Sequence, residues 1–460
     1  MLERFAGMTV LALFIATSPA CAQEADTDAP FNLQDAIGSP EGLTISGSAR
    51  IRYEVLGNQF RPGLDENDDL VTMRFTLAAE YDAGPVRIGG ELFDARAYGG
   101  DEGSSVNNGD VNALELVQAY VGADLGDVLG EGSTTSLTAG RFTMDLGSRR
   151  LVGRNNFRNA TNAFTGVRLD VAGTDSRSVT AFYTFPQQRL PADKAGVLDN
   201  EVRWDHEGDD LVFWGLFGTT PVAGHTLEAY VYGLDEDDRG SVSTRDRQLT
   251  TPGFRFLRAP RAGHLDYQIE YAYQFGERSV TTAAGSPVQD VSAHFLHLDA
   301  GYRLDVPWQP RIAAVWDYAT GDGTGGDFGR FDSLYGPRRS DYGPTGIYGP
   351  LGRNNLSAIG MDFEFKPSAR LDGFVKYRAA FLDSATDSFA NTGVRDASGL
   401  SGTFGGNQLE GRLRYWFVPD FLRLDTGASV LINGRFLSDA PNANGFGDPV
   451  YGYVDLTATF

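Results

Sequence analysis

TISGSARIRYEV, residues 44–55, sorts by parity into two unlike faces. In an extended chain Ile45, Gly47, Ala49, Ile51, Tyr53 and Val55 point one way, and Ser46, Ser48, Arg50, Arg52 and Glu54 the other. One face is apolar; the opposite face carries three charges. The pattern recurs far along the chain. In VTMRFTLAAEYD (71–82), Val71, Met73, Phe75, Leu77, Ala79 and Tyr81 oppose Arg74, Glu80 and Asp82. In HFLHLDAGYRLD (294–305), Leu296, Leu298, Ala300, Tyr302 and Leu304 oppose His297, Asp299, Arg303 and Asp305. In QLEGRLRYWF (408–417), Leu409, Leu413, Tyr415 and Phe417 oppose Glu410, Arg412 and Arg414. A wall between lipid and water requires this two-residue period. A soluble β-sandwich shows it too, so the connections must decide.

Turn signals divide the chain into about 18 strands, an even number within the range of bacterial outer-membrane barrels. The gaps alternate in length. DAGP (82–85), APRAG (259–263), DVPWQ (305–309), KPS (366–368) and VPD (418–420) are short. The segments 56–69, 146–163, 186–208, 320–354, 383–405 and 433–450 are long. Short periplasmic turns alternating with long extracellular loops are the rhythm of a barrel, and a sandwich has no reason to keep it. The fold expected is therefore all-β, a transmembrane antiparallel β-barrel over residues 43–460.

The two ends agree. The chain closes on VYGYVDLTATF, with Val454, Leu456, Ala458 and Phe460 opposite Tyr453, Asp455, Thr457 and Thr459. Such an aromatic-terminated strand suits the barrel assembly machinery and leaves no room for a following domain. At the start, the apolar run Met8–Ala16 is short of the roughly 20 residues a spanning helix needs. Pro19 and the small-x-small Ala20-Cys21-Ala22 follow it. Residues 1–22 thus read as a signal peptide cut before Gln23, and 23–42 as a short periplasmic segment. That cut leaves no cysteine in the mature chain. The competing reading lipidates Cys21, but Ser18 stands where a lipobox has Leu.

The formal charge is −22, yet GRFTMDLGSRRLVGRNNFRNATNAFTGVRL (140–169) holds Arg141, Arg149, Arg150, Arg154, Arg158 and Arg168 against Asp145 alone. Guanidinium groups present a planar fork that binds carboxylates bidentately and keeps its proton. Gly147 and Gly153 let the backbone bend inward, as a constriction loop must. Arg50, Arg52, Arg74, Arg412 and Arg414 fall on inward phases of their strands. Many inward arginines share that face with carboxylates, so part of the lumen is expected to be paired across strands. Several unpaired arginines would suit a ligand bearing a carboxylate on every unit. Lipopolysaccharide phosphate is the nearer target for any that point outward. Nucleic acid is excluded as a partner by the net charge.

Gly140-Arg141, the run Leu146–Gly153 (LGSRRLVG) and Phe164–Leu169 (FTGVRL) resemble the alginate export family. GRFDSLYGPRR (329–339) and GNQLEGRLRYWFVPDFLRLDTGASVLINGRF (406–436) are similar to that family's C-terminal half. The resemblance covers roughly residues 43–460. It implies a monomeric outer-membrane channel with an arginine-lined, anion-selective pore. The substrate implied is a polyuronate such as alginate, passed outward with the help of a periplasmic secretion complex. The alternative reading is a general or anion-selective diffusion porin taking up oligosaccharides.

Other chemistries find little support. The histidines are His206, His225, His264, His294 and His297. His294 and His297 are three apart on one strand, so they face opposite ways and cannot share a metal. The acidic loops at 99–105 and 233–241 lack the ligand spacing of a calcium loop and read as solvated charge. No catalytic residue, metal or cofactor is expected. The Tyr- and Gly-rich segment 321–355 is too long to be a mere connection and is expected to fold over or into the pore.

Overall fold

A computed structural model describes residues 30–128, 130–238 and 243–460. The leader expected over residues 1–22 lies outside them. The first nine strands are β1 (Leu43–Gly57), β2 (Asp68–Asp82), β3 (Val86–Tyr98), β4 (Asn112–Gly126), β5 (Thr134–Phe142), β6 (Phe164–Ala172), β7 (Ser178–Pro186), β8 (Leu211–Val222) and β9 (His225–Glu236). The second nine are β10 (Gln248–Arg258), β11 (His264–Ser279), β12 (Val288–Arg303), β13 (Arg311–Ala319), β14 (Leu356–Phe365), β15 (Leu371–Phe381), β16 (Phe404–Val418), β17 (Leu422–Asn433) and β18 (Val450–Thr459). Short helices are α1 (Leu33–Ala36), α2 (Lys194–Leu198), α3 (Arg339–Tyr342) and α4 (Arg435–Asp439).

Each strand pairs antiparallel with its sequence neighbours, and β1 pairs with both β2 and β18. The sheet is therefore a closed cylinder of 18 strands with no free edge. Closure is reinforced at the chain end. The Gly47 and Phe460 backbones exchange hydrogen bonds of 2.6 and 2.9 Å, and the Phe460 ring lies 6.2 Å from Phe31.

Burial identifies the solvent on each side. On β1, Ile51, Tyr53 and Val55 are 42%, 48% and 39% exposed, whereas Arg50, Arg52 and Glu54 are 5%, 2% and 2% exposed. A water-soluble fold does the reverse. An apolar exterior around a polar interior is the arrangement of a barrel in lipid. His294 and His297 take opposite faces, as their spacing requires. His297 is buried inside beside Asp317, and His294 bonds the Tyr271 hydroxyl on the outer side.

All the short turns lie at one end of the cylinder and the long loops at the other, because strands alternate in direction. The loops 143–163, 187–210, 320–355, 382–403 and 434–449 begin and end within three residues of where the turn signals place them. They pack inward on apolar patches of the wall. Met144, Leu146, Leu151 and Val152 join Phe164, Phe182, Phe213 and Phe295 in one cluster. Tyr342, Leu351, Phe389 and Phe436 form a second, which joins loops 320–355 and 382–403 to α4. The interior is thus partly filled by its own loops.

Candidate functional site in the lumen

Two loops cross the lumen and lock onto each other. Loop 143–163 leaves β5, and its Gly147 adopts φ 51°, a left-handed conformation that glycine takes without strain. A Cβ there would press on Glu228 and Phe217. Loop 320–355 meets it along a short parallel bridge, Val152 to Tyr335. The approach is close: a Cβ on Gly153 would lie 2.8 Å from the Pro337 ring. These contacts make an internal partition rather than a surface cap.

Arg150 pins the partition to the wall. Its guanidinium reaches Glu270 on β11 at 2.7 Å, Gln268 at 2.9 Å and His297 at 2.9 Å. It also grips Asp341 of α3 with two bonds of 3.0 and 3.1 Å. Asp341 takes Arg353 as well, and these two arginines hold its carboxyl well below the usual carboxylate range despite burial. At the far side, Arg50 and Arg74 bond the Asn156 carbonyl, and Arg52 bonds the Phe157 carbonyl at 2.7 Å. Arg52 also pairs with Asp455 at 2.8 Å and stacks on Phe157 at 3.8 Å. These four arginines hold loops in place.

Carboxylates meet most of the other sequence-named arginines. Arg141 pairs with Glu115 and Glu207, both at 2.8 Å. Arg149 pairs with Asp145 at 2.8 Å, Arg154 with Glu91 and Arg168 with Asp170 at 2.8 Å. Arg412 and Arg414 share Asp372 at 3.0 Å. The segment 140–169 therefore differs from its appearance in the sequence. Arg149 and Arg168 use the nearby Asp145 and Asp170, and the acids for Arg141, Arg150 and Arg154 come through space from the wall, loop 187–210 and α3.

Arg158 is the exception. Its hydrogen-bond partner is the Asn107 side chain at 3.1 Å, and no carboxylate lies within ion-pair distance among the described residues. Three arginines from other loops gather near it, each held by neutral oxygens. Arg61 donates to the Ile347 and Tyr348 carbonyls at 2.7 and 2.6 Å. Arg189 donates to Asn108, Thr161 and Asn162. Arg338 donates to Gly349 and Leu351. Burial and the neighbouring Arg158 depress Arg61 and Arg189 to about 10. Burial with Arg158, Arg61 and Arg353 brings Arg338 to about 9. All remain cationic at neutral pH, so the middle of the lumen holds four mutually repelling positive charges. Sequence reading named Arg158; it passed over Arg61 and Arg189, which look like lone loop arginines. Arg338 was visible only inside the motif GRFDSLYGPRR.

Cavities open on both sides of this cluster. Toward the long loops, a cavity of about 790 Å³ is lined by Arg158, Arg245, Arg247, Arg278, Arg330 and Arg338 against Glu236 and Asp332. A neighbouring cavity of about 330 Å³ shares Arg158 and adds Arg189. Toward the short turns, about 510 Å³ is lined by Arg303, Arg339, Lys376, Arg412 and Arg414 against Glu364 and Asp372. The adjacent Arg338 and Arg339 thus line different cavities, one on each side of the partition.

Asp110 tunes the cluster. Burial raises its carboxyl from 3.8 to about 6, and Glu54 adds to the rise against the pull of Arg158 and Arg61. In the unfolded chain this proton leaves first. Stability therefore falls as pH rises from about 4 to 6, and the cluster loses a neutralising charge as pH falls through 6. Anion preference in bilayer recordings is expected to increase between pH 7.5 and 5. Asp110→Asn should hold the acid value throughout.

A closed barrel with an apolar exterior, in-folded loops and a charged lumen is the architecture of outer-membrane porins. The chain belongs to the alginate export family, whose sequence model matches residues 42–446. Its fold is similar to OccAB1 of Acinetobacter baumannii, with a TM-score of 0.59, 13% identity and coverage of 91% of this chain and 97% of that one. It is similar to OccK8 (OprE) of Pseudomonas aeruginosa, with a TM-score of 0.58, 11% identity and coverage of 91% and 98%. It also resembles P. aeruginosa OccK2 (OpdF) in complex with glucuronate, with a TM-score of 0.54, 11% identity and coverage of 90% and 98%. No curated protein sequence matches the chain. Family and fold together define an outer-membrane β-barrel of the porin type.

Proposed function

We propose that the barrel is a channel for an anionic polysaccharide, an alginate-like polyuronate, which it passes through its arginine-lined lumen. The observation that carries this reading is the cluster Arg61, Arg158, Arg189 and Arg338, where guanidinium groups hold only neutral oxygens. A carboxylate entering there replaces mutual repulsion with charge-assisted hydrogen bonds. The cationic cavities on either side supply further weak sites, so that each sugar can be handed on rather than trapped. Paired arginines such as Arg412 and Arg414 temper the attraction near the short turns. On this reading the long loops face outside, residues 1–22 direct secretion, and a periplasmic complex delivers the polymer.

A second reading, uptake of small uronates by diffusion, draws on the glucuronate complex of the similarly folded OccK2. One bilayer experiment separates the two. For a polymer channel, polymannuronate added on the short-turn side blocks the anion current while neutral dextran of equal length does not. Free glucuronate current with indifference to the polymer would favour uptake.

A further inference from the structure

His297 is a buried titratable group that the passage of an anion does not use. It lies inside the barrel on β12, in a row with Glu270 of β11 and Asp317 of β13. The hydrogen-bond network assigns its tautomer. Arg150 Nη2, which can only donate, lies 2.9 Å from the ring Nε2. Gln268 gives its Oε1 to Arg150 at 2.9 Å, so its amide nitrogen is what faces the same Nε2 at 3.5 Å. Nε2 is therefore an acceptor, and the ring proton sits on Nδ1, donated to Asp317 Oδ1 at 2.7 Å. Only the neutral ring completes these contacts.

The charges around the ring leave room for a second proton. Glu270 stands across from it on β11, Asp317 across from it on β13, and the charge of Asp341 reaches it from α3. Against these carboxylates stand the guanidinium groups of Arg150 and Arg353, bound to Glu270 and Asp341. Arg378 is occupied by Asp362 and adds no net charge. Three carboxylates and two guanidinium groups leave one net negative charge, which a proton on His297 balances. That proton turns the acceptor of Arg150 into a donor. Two cationic N–H groups then point at each other, and the imidazolium competes with Arg150 for Glu270. Asp317 Oδ2, buried without a hydrogen-bond partner among the described residues, stands ready for a new donor. Arg150 is the ionic tie between loop 143–163 and β11, so what loosens it loosens the partition.

We propose that His297 is an acid-sensing latch on the lumen partition. Neutral, it accepts from Arg150 and helps to hold loop 143–163 against the wall. Protonated, it repels Arg150, takes over Glu270 and lets the loop move away from β11. The latch sets the width of the passage, whichever anion the channel carries.

Planar-bilayer recording of the full-length barrel tests it, over about pH 8 to 5, where imidazole changes charge. All measurements use an Asp110→Asn background, so that the titration of Asp110 does not contribute. Mean single-channel conductance is expected to rise by about twofold or more on acidification, as the population with a released partition grows. Neutral polyethylene glycol too large to enter at pH 8 should enter in acid. His297→Gln offers one acceptor to Arg150 and one donor to Asp317 but takes no proton, and its conductance should stay flat. Asp317→Asn keeps an acceptor for Nδ1–H and removes one carboxylate, so its rise should come at lower pH. Heat-dependent gel migration verifies that each variant is folded. If His297→Gln does not fold, Asp317→Asn carries the test alone. A conductance that is flat or falls in acid, a rise that His297→Gln shares, or one that Asp317→Asn leaves in place would overturn the proposal.

Discussion

Replacing Arg150 with alanine is expected to release the lumen partition, raise single-channel conductance several-fold and destabilise the barrel by about 3–5 kcal/mol. The size follows from what the guanidinium leaves behind. Glu270 and Asp341 are 2% and 7% exposed, and removal of their common partner strands charge in a site that water reaches poorly. Arg353 still holds Asp341, but both residues belong to the same loop and cannot tie it to the wall. Loops 143–163 and 320–355 would keep their backbone bridge yet lose the ionic link to β11. Arg149→Ala is the control. Its Asp145 partner is largely solvated, and such pairs contribute about 0–1 kcal/mol. Urea unfolding in lipid vesicles reads the stability, and planar-bilayer recording reads the conductance. If both variants behave alike, Arg150 is not the anchor of the partition.

The contrast between these neighbouring arginines marks what a sequence can disclose. Parity of side chains is a local property, so TISGSARIRYEV announces both faces of β1 before any partner is known. Turn chemistry is local too, and it places the loops. Charge compensation is not local. Arg154 finds Glu91 across 63 residues, and Arg150 finds Glu270 and Asp341 across 120 and 191. A stretch that looks acid-free in the chain is therefore mostly neutralised in the barrel. The converse holds for the four-arginine cluster. Arg61, Arg189 and Arg338 belong to three separate loops, and only closure of the cylinder brings them to Arg158.

Reversing two charges of that cluster, Arg158→Glu with Arg338→Glu, is expected to abolish anion preference and to weaken polymannuronate block by about a hundredfold or more. Four guanidinium groups contribute four positive charges; the double variant leaves two positive and two negative. With Asp110 ionised at neutral pH, the balance turns negative, and selectivity in a narrow aqueous pore follows the sign of the charges lining it. The reversal potential under a salt gradient should change sign. Lower ionic strength should enlarge the difference, since fewer mobile ions then screen the fixed charges. The same reversal at Arg412 and Arg414 should do less, because those groups already share Asp372 near the short turns. A fold-neutral variant is available in Arg158→Gln with Arg338→Gln, which keeps hydrogen-bond donors for the carbonyls that Arg338 now holds. It should lie midway between wild type and the reversed form. An unchanged reversal potential and undiminished block in the double glutamate variant would mean that ions pass elsewhere, and the cluster would lose its claim to be the selectivity site.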